Sequence, residues 1–294
     1  QKYKIAWICP IHIAYAAAKE LLDEKHAGSE LPPRNCAVDY TLGKMGAHYV
    51  VLVLWPRRPL SSQYLEFEAE RLLSIFPNIE MKFIVGVAGG APSPERDMRL
   101  GDVVVNTMSS ASNGLFCYDF YGTVRARRFV TTDSKYVTPA FAREVRAYQS
   151  STIPISDLKY PYSLAATDER FSQPDAKSDV LYVSHIRHPN KLVPCSVGCG
   201  SDGTRLVRRK ERVAEGINPL IYDGVIASST HTIKDAQLRD SLIEEMEVLC
   251  FEAFSAHLPP GFHDMIVHGI CDYSDSHQYA QWEGYAALTS ALYA

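Results

Sequence analysis

Short apolar runs bounded by polar or turn residues recur along the chain, and between them lie longer stretches with apolar positions at helical spacing. Residues 5–8 read as a buried strand. Residues 13–25 read as a helix, whose Ala14-Tyr15-Ala16-Ala17-Ala18 run suits close packing on a sheet. Residues 40–45 and 48–54 predict a hairpin turning at Gly46, and 61–76 a helix stopped by Pro77. A strand over 83–87 runs into Gly89-Gly90 and a loop carrying Pro92 and Pro94, and 102–106 is a further strand. Residues 115–120 and 123–130 predict a pair of strands, and 139–149 a helix. After these come strands at 221–227, 248–251 and 265–271, with helices at 234–245 and 282–293.

Strands alternating with helices predict a single α/β domain over residues 1–294, with a mixed, mostly parallel twisted sheet flanked by helices. Ligands of such sheets bind beyond the carboxyl ends of the strands. Residues 160–216, rich in Pro, Gly and charge, break the pattern and read as an irregular insertion on that domain.

Composition narrows the function classes. At 294 residues and 46% hydrophobic, the chain can bury a large core. A formal charge of -4 gives no cationic footprint for nucleic acid. The basic run Arg205, Arg208, Arg209, Lys210 and Arg212 reads as a solvated loop. No apolar stretch is long enough for a membrane span, and no signal peptide pattern is visible. The seven cysteines are scattered, and Cys9, Cys250 and Cys271 fall in or beside apolar strands, which points to a reducing, cytoplasmic setting. Cys195 and Cys199, with His185 and His188 nearby, have loose zinc-ligand spacing; a plain loop or an oxidation-dependent disulfide is the preferred reading, so neither metal nor cofactor is assigned. The chain starts without Met, close to its first strand, as expected of a piece of a larger parent protein.

The candidate chemistry lies at strand ends. Val267-His268-Gly269-Ile270-Cys271-Asp272 is an apolar run that stops at a carboxylate, a placement that delivers Asp272 to a cleft. That segment through Ser276 resembles one motif of the nucleoside phosphorylase and methylthioadenosine nucleosidase superfamily, in its fungal form. Tyr3 to Cys9, Phe83 to Gly90, Arg99 to Val105 and Val248 to Glu252 resemble others, in the right order over nearly the whole chain.

The resemblance implies a site residue by residue. It places on Asp272 the acid that protonates a departing purine. It implies a water-orienting Glu in a Cys-Ala-Leu-Pro-x-Glu pattern, where this chain reads Cys9 to Ala14, so that Ala14 stands at the Glu position and His12 is gained. It implies a sugar-binding Glu in Cys-Phe-Glu-Met-Glu, where this chain has Glu252-Ala253-Phe254. Phe254 replaces an acceptor of two hydroxyls with an apolar wall. His231 and Thr232 stand in the base-side loop, Val87, Ala88 and Gly89 on the floor, and Trp55 on a further wall. Arg57 and Arg58 are weaker candidates for holding a phosphate.

Retention of the acid with loss of the base and the sugar anchor implies a repurposed enzyme. It would carry out a cyclisation, isomerisation, dehydration or pericyclic closure of an apolar small metabolite, such as those of fungal secondary metabolism. Asp272 and His12 would act as acid and base, and an apolar cleft would favour the protonated acid. Two alternatives stand beside it: a purine nucleosidase or phosphorylase using displaced groups, and a non-catalytic nucleoside- or metabolite-sensing module of a larger protein. A small-molecule partner and a homodimer are the expected associations.

Overall fold

The computed structural model describes residues 2–26, 38–55, 62–107, 115–120, 124–130, 168–190, 192–200, 202–210, 212, 219–229, 231–259, 262–277 and 279–294. Arg57, Arg58 and the helix expected at 139–149 lie outside them. In chain order the strands are β1 (Ile5–Cys9), β2 (Glu24–Lys25), β3 (Asp39–Met45), β4 (His48–Leu54), β5 (Met81–Gly90), β6 (Val103–Thr107), β7 (Leu115–Phe120), β8 (Val124–Val130), β9 (Ile221–Asp223), β10 (Ile226–Ser228), β11 (Cys250–Glu252) and β12 (Met265–Asp272). The helices are α1 (His12–Glu20), α2 (Ser62–Ile75), the single turn α3 (Cys195–Gly198), α4 (Ala236–Met246) and α5 (Glu283–Tyr293).

The strands form one mixed sheet in the order β2-β3-β4-β1-β5-β11-β10-β7-β8, with β12 against β5 and β6, and β9 beyond β6. Its centre is parallel: β1 pairs in parallel with β4 and β5, and β12 with β5. Period-two alternation sends side chains to two faces. Ala6, Ile8, Val51, Val53 and Ile266 join a core with Leu65, Ala69 and Leu72 of α2. Trp7, Cys9, Val50, Leu52 and Val267 join another with Ala14, Ala17 and Ala18 of α1 and Leu288 and Ala291 of α5. A third cluster gathers Phe116, Ala227 and Phe251 under Leu242 and Ile243 of α4. The expected α/β architecture is therefore present, with helices on both faces. At Gly269 a Cβ would overlap the Ala286 carbonyl, so α5 lies directly on the β12 backbone.

Three expectations need correction. The first helix stops at Glu20 rather than residue 25, because Leu21 and Leu22 turn inward and Asp23 N–H donates to Lys44 O, starting β2. The strand expected over 221–227 is two strands, since Gly224 donates to Val105 and the halves serve different neighbours, β9 pairing with β6 and β10 with β7 and β11. The basic run is not simply solvated: Arg212 forms a two-pronged bond to buried Asp102 at 2.7 Å, and Arg209 lies 3.1 Å from Asp179.

The described part of 160–216 packs onto this core. Phe171 enters the second cluster and Leu181 the first. Trp282 Nε1 donates to Ser178 Oγ at 3.0 Å, and Tyr279 OH to Val180 O at 2.8 Å. The segment thus straps the loop that follows β12. No helix among the described residues is long and apolar enough to cross a membrane.

Candidate functional site

The site is built where β5 forks. Over its first residues β5 pairs with β1, and at its end Gly89 pairs with Phe251 of β11 and with Asp272 of β12. The β12 ladder shifts register between Ile270 and Asp272, which ends regular pairing there. A Cβ on Gly89 would fall 2.5 Å from Asp272 Oδ1 and closer still to Ser274 Oγ, so glycine is required for this approach. Ser274 takes a left-handed conformation, φ 52°, and its N–H donates to Asp272 Oδ1 at 2.7 Å. This Asx turn fixes the carboxylate at the strand end.

The other oxygen of Asp272 accepts from Lys234 Nζ at 2.6 Å. The setting of the Asp272 carboxylate is therefore polar rather than the apolar one expected from sequence: both oxygens serve as acceptors, one of them for an ammonium. Partial burial works against the Lys234 charge, but Asp272 opposite it prevails and raises the lysine pKa. Lys234 was missed in sequence because nothing in its spacing marks it. The signal that places it is its neighbour Asp235, which caps α4 by accepting from the N–H groups of Gln237 and Leu238.

The loop beyond is clamped from two sides. Arg239 of α4 donates to Tyr273 O at 2.7 Å. From the strap, Arg209 donates to Tyr273 OH at 2.7 Å, while that hydroxyl donates to Asp179. Tyr273 is fully buried by these contacts.

The remaining sequence candidates divide into those the fold gathers and those it leaves apart. Glu252 is 4% exposed; its oxygens accept from the backbone N–H groups of Phe254 at 2.8 Å and Ser255 at 3.0 Å, capping the turn at Ser255–His257. Burial pushes its carboxyl pKa up, against the pull of Ser228 and these N–H groups. Glu252 thus faces the protein, with His268 Nε2 3.9 Å away, and is not turned toward a sugar. Phe254 meets Trp55 edge-on at 6.1 Å, and Trp55, 1% exposed, also packs on Phe262. Ala253 beside them is half-buried. Ala14 is wholly enclosed in the cluster with Trp7 and Cys9. Ala88 is buried and Val87 half-buried on β5. His12, His231 and Thr232 are exposed, and among the described residues no hydrogen bond or ion pair joins His12 to Asp272.

A large cleft of about 1290 Å³ lies elsewhere, between the Pro92 to Asp97 loop, Val207 to Lys210 and the Arg239, Asp240, Ile243 and Glu244 side of α4. None of the sequence-named site residues lines it.

No family model matches the chain. A nucleotide-binding leucine-rich repeat (NLR)-like protein of Hyaloscypha variabilis is 32% identical over 298 residues, which span 100% of this chain and 29% of that protein. The chain thus corresponds to under a third of the length of that relative. Among solved structures, the 5'-methylthioadenosine/S-adenosylhomocysteine nucleosidase of Helicobacter pylori superposes with a TM-score of 0.55 at 12% identity, covering 99% of this chain and 96% of that one. The corresponding nucleosidase of Neisseria meningitidis gives 0.55 at 12% identity over 100% and 96%. Futalosine hydrolase of Helicobacter pylori gives 0.53 at 12% over 99% and 95%. At these identities the likeness establishes a shared nucleosidase-like fold.

Proposed function

We propose that this chain is a ligand-recognition module on the nucleosidase fold, which holds a purine-type small molecule at the β5, β11 and β12 ends without cleaving it, as one part of a longer protein. The observation that carries this is the Asp272–Lys234 pair at 2.6 Å. A carboxylate that already accepts from an ammonium and a backbone N–H is placed to accept donors on a base as well. Ala14 and Phe254 supply neither a base for water nor an acceptor for sugar hydroxyls. The 32% identity to an NLR-like protein of which the chain spans 29% favours a module rather than a free-standing enzyme. The repurposed-enzyme alternative requires His12 and Asp272 to act together, and no described contact joins them.

Calorimetry of the chain with adenine, adenosine and methylthioadenosine tests the proposal, with base release followed in the same samples. Binding without release is expected. Release of base would instead favour a working hydrolase, and absence of both binding and release would remove purine ligands altogether.

A further inference from the structure

We infer that His188, Cys195, Cys199 and His277 form a structural zinc site that fastens the strap to the loop after Asp272. Nδ1 of His188 and the two sulfurs all lie within 4.8 Å of one another. His188 Nδ1 is 3.0 Å from Cys199 Sγ and 3.6 Å from Cys195 Sγ. Tetrahedral zinc with ordinary Zn–S and Zn–N bonds places such ligand atoms about 3.5–3.8 Å apart. Three of the four side chains, His188, Cys195 and Cys199, therefore already converge on one point, with His188 and Cys199 slightly closer than a bound zinc would set them.

Local structure explains the arrangement. Cys195 opens the one-turn helix α3 and Cys199 caps it, donating its N–H to Cys195 O. Residues four apart on a helical turn share a face, so both sulfurs point the same way. Both are thiols rather than halves of a disulfide, and Cys199 is 1% exposed. The His188 backbone N–H donates to Ser276 Oγ at 2.8 Å, which brings its ring to the loop carrying the fourth ligand.

His277, on that loop, supplies the fourth ligand by a small side-chain movement, since its nitrogens lie outside the 4.8 Å group formed by the other three. It is 4% exposed, its ring lies 6.0 Å from that of His188, and neither of its nitrogens makes an aligned hydrogen bond among the described residues. Tyr182 stacks on it at 3.8 Å and fixes its plane. Its Nδ1 faces Asp275 Oδ2 at 3.3 Å, and Asp275 is 2% exposed. A zinc-bound histidine characteristically gives its other ring N–H to a carboxylate, which leaves Nε2 for the metal. Without a cation, buried imidazole and carboxylate atoms lacking good partners are costly. Two sulfurs and two imidazoles select zinc among common divalent ions. On binding, the two thiols lose their protons to solvent, so the dication meets two thiolates and the centre is neutral.

The protein should be purified without added metal and without chelator, and its zinc measured by elemental analysis. About one zinc per chain is expected. Replacement by cobalt should give the visible bands of a tetrahedral thiolate site. The double variant Cys195→Ser/Cys199→Ser should retain no metal. His277→Gln and Asp275→Asn, checked for retained fold by circular dichroism, should weaken zinc roughly 10–100-fold in competition with a chromogenic chelator. Zinc content unchanged by the double cysteine variant would overturn the site. So would a Cys195–Cys199 disulfide whose reduced form takes up no zinc. Unchanged affinity in His277→Gln would overturn the four-ligand set.

Discussion

Lys234 Nζ lies 2.6 Å from Asp272 Oδ2, while Ser274 N–H holds the other oxygen at 2.7 Å. A ligand that uses Asp272 as an acceptor must compete with the lysine. Side chains there are 51% and 22% exposed, so the pair is screened by water and contributes modestly, up to about 1 kcal/mol. Lys234→Met should therefore strengthen binding of adenine-type bases by up to roughly five-fold, whereas Asp272→Asn should weaken it. Titration calorimetry of the two variants checks this; weaker binding in Lys234→Met would mean that the lysine itself contacts ligand.

Restoring one carboxylate should not restore hydrolysis. Ala14 is 0% exposed and clustered with Trp7, Cys9 and Ala17, so a longer polar side chain there would displace buried apolar neighbours. Ala14→Glu is expected to destabilise the chain by about 2–4 kcal/mol through overpacking and an unsolvated polar group. Thermal melting would show a clear drop, and base release from adenosine should stay at background. A stable, hydrolytic Ala14→Glu variant would show that the site opens more readily than its packing implies.

The fork at Gly89 can be probed by a single methyl. Gly89→Ala places that methyl against Asp272 Oδ1 and Ser274 Oγ, and neither neighbour is the end of a long flexible side chain. The β12 end must shift, so ligand binding at Asp272 should fall by ten-fold or more, with about 1–3 kcal/mol lost in stability. Chemical denaturation and calorimetry on the same preparation separate these effects. Full affinity in a destabilised variant would place the ligand away from this strand end.

Phe254 gives a spectroscopic test of the apolar wall. It meets Trp55 at 6.1 Å, and Trp55 is 1% exposed. Phe254→Ala should cost about 1–2 kcal/mol, below the range for a fully buried ring, since Phe254 is half-buried. Water reaching the indole should shift tryptophan emission to longer wavelength. Unchanged emission would mean that Phe262 alone shields Trp55.

Much of this frame was legible because apolar runs with clear ends make buried strands. The alternation of Ala6 and Ile8 against Trp7 and Cys9, and the stop at Asp272, follow directly from side-chain periodicity. The hairpin at Gly46 was equally clear. What could not be read was set by contacts remote in sequence. Lys234 reaches Asp272 across 38 positions, and Arg209 reaches Tyr273 across 64. The inward turn of Glu252 depends on the two N–H groups that follow it, and a strand-end glutamate has the same sequence signature whether it faces ligand or backbone. His277 carries no sign of its nearness to His188 until the strap has folded over the loop.

Acid should destabilise the fold through His263. It is 3% exposed beside the Lys82–Asp264 pair; burial lowers its pKa to about 4, Asp264 opposing and Lys82 adding to the shift. In the unfolded chain the imidazole titrates near 6.5. Between these values the unfolded state binds a proton that the folded state does not, so stability falls as pH drops through this window and levels off below it. The loss approaches about 3 kcal/mol for one such group. His268 is likewise held to about 4 by burial and adds to the effect, but its neighbour Glu252, with a raised pKa, acts in the opposite direction. His263 is thus the cleaner probe. His263→Gln should reduce the slope of unfolding free energy against pH by close to one proton, read by urea denaturation across the window. An unchanged slope would mean that the folded chain already admits the proton at His263.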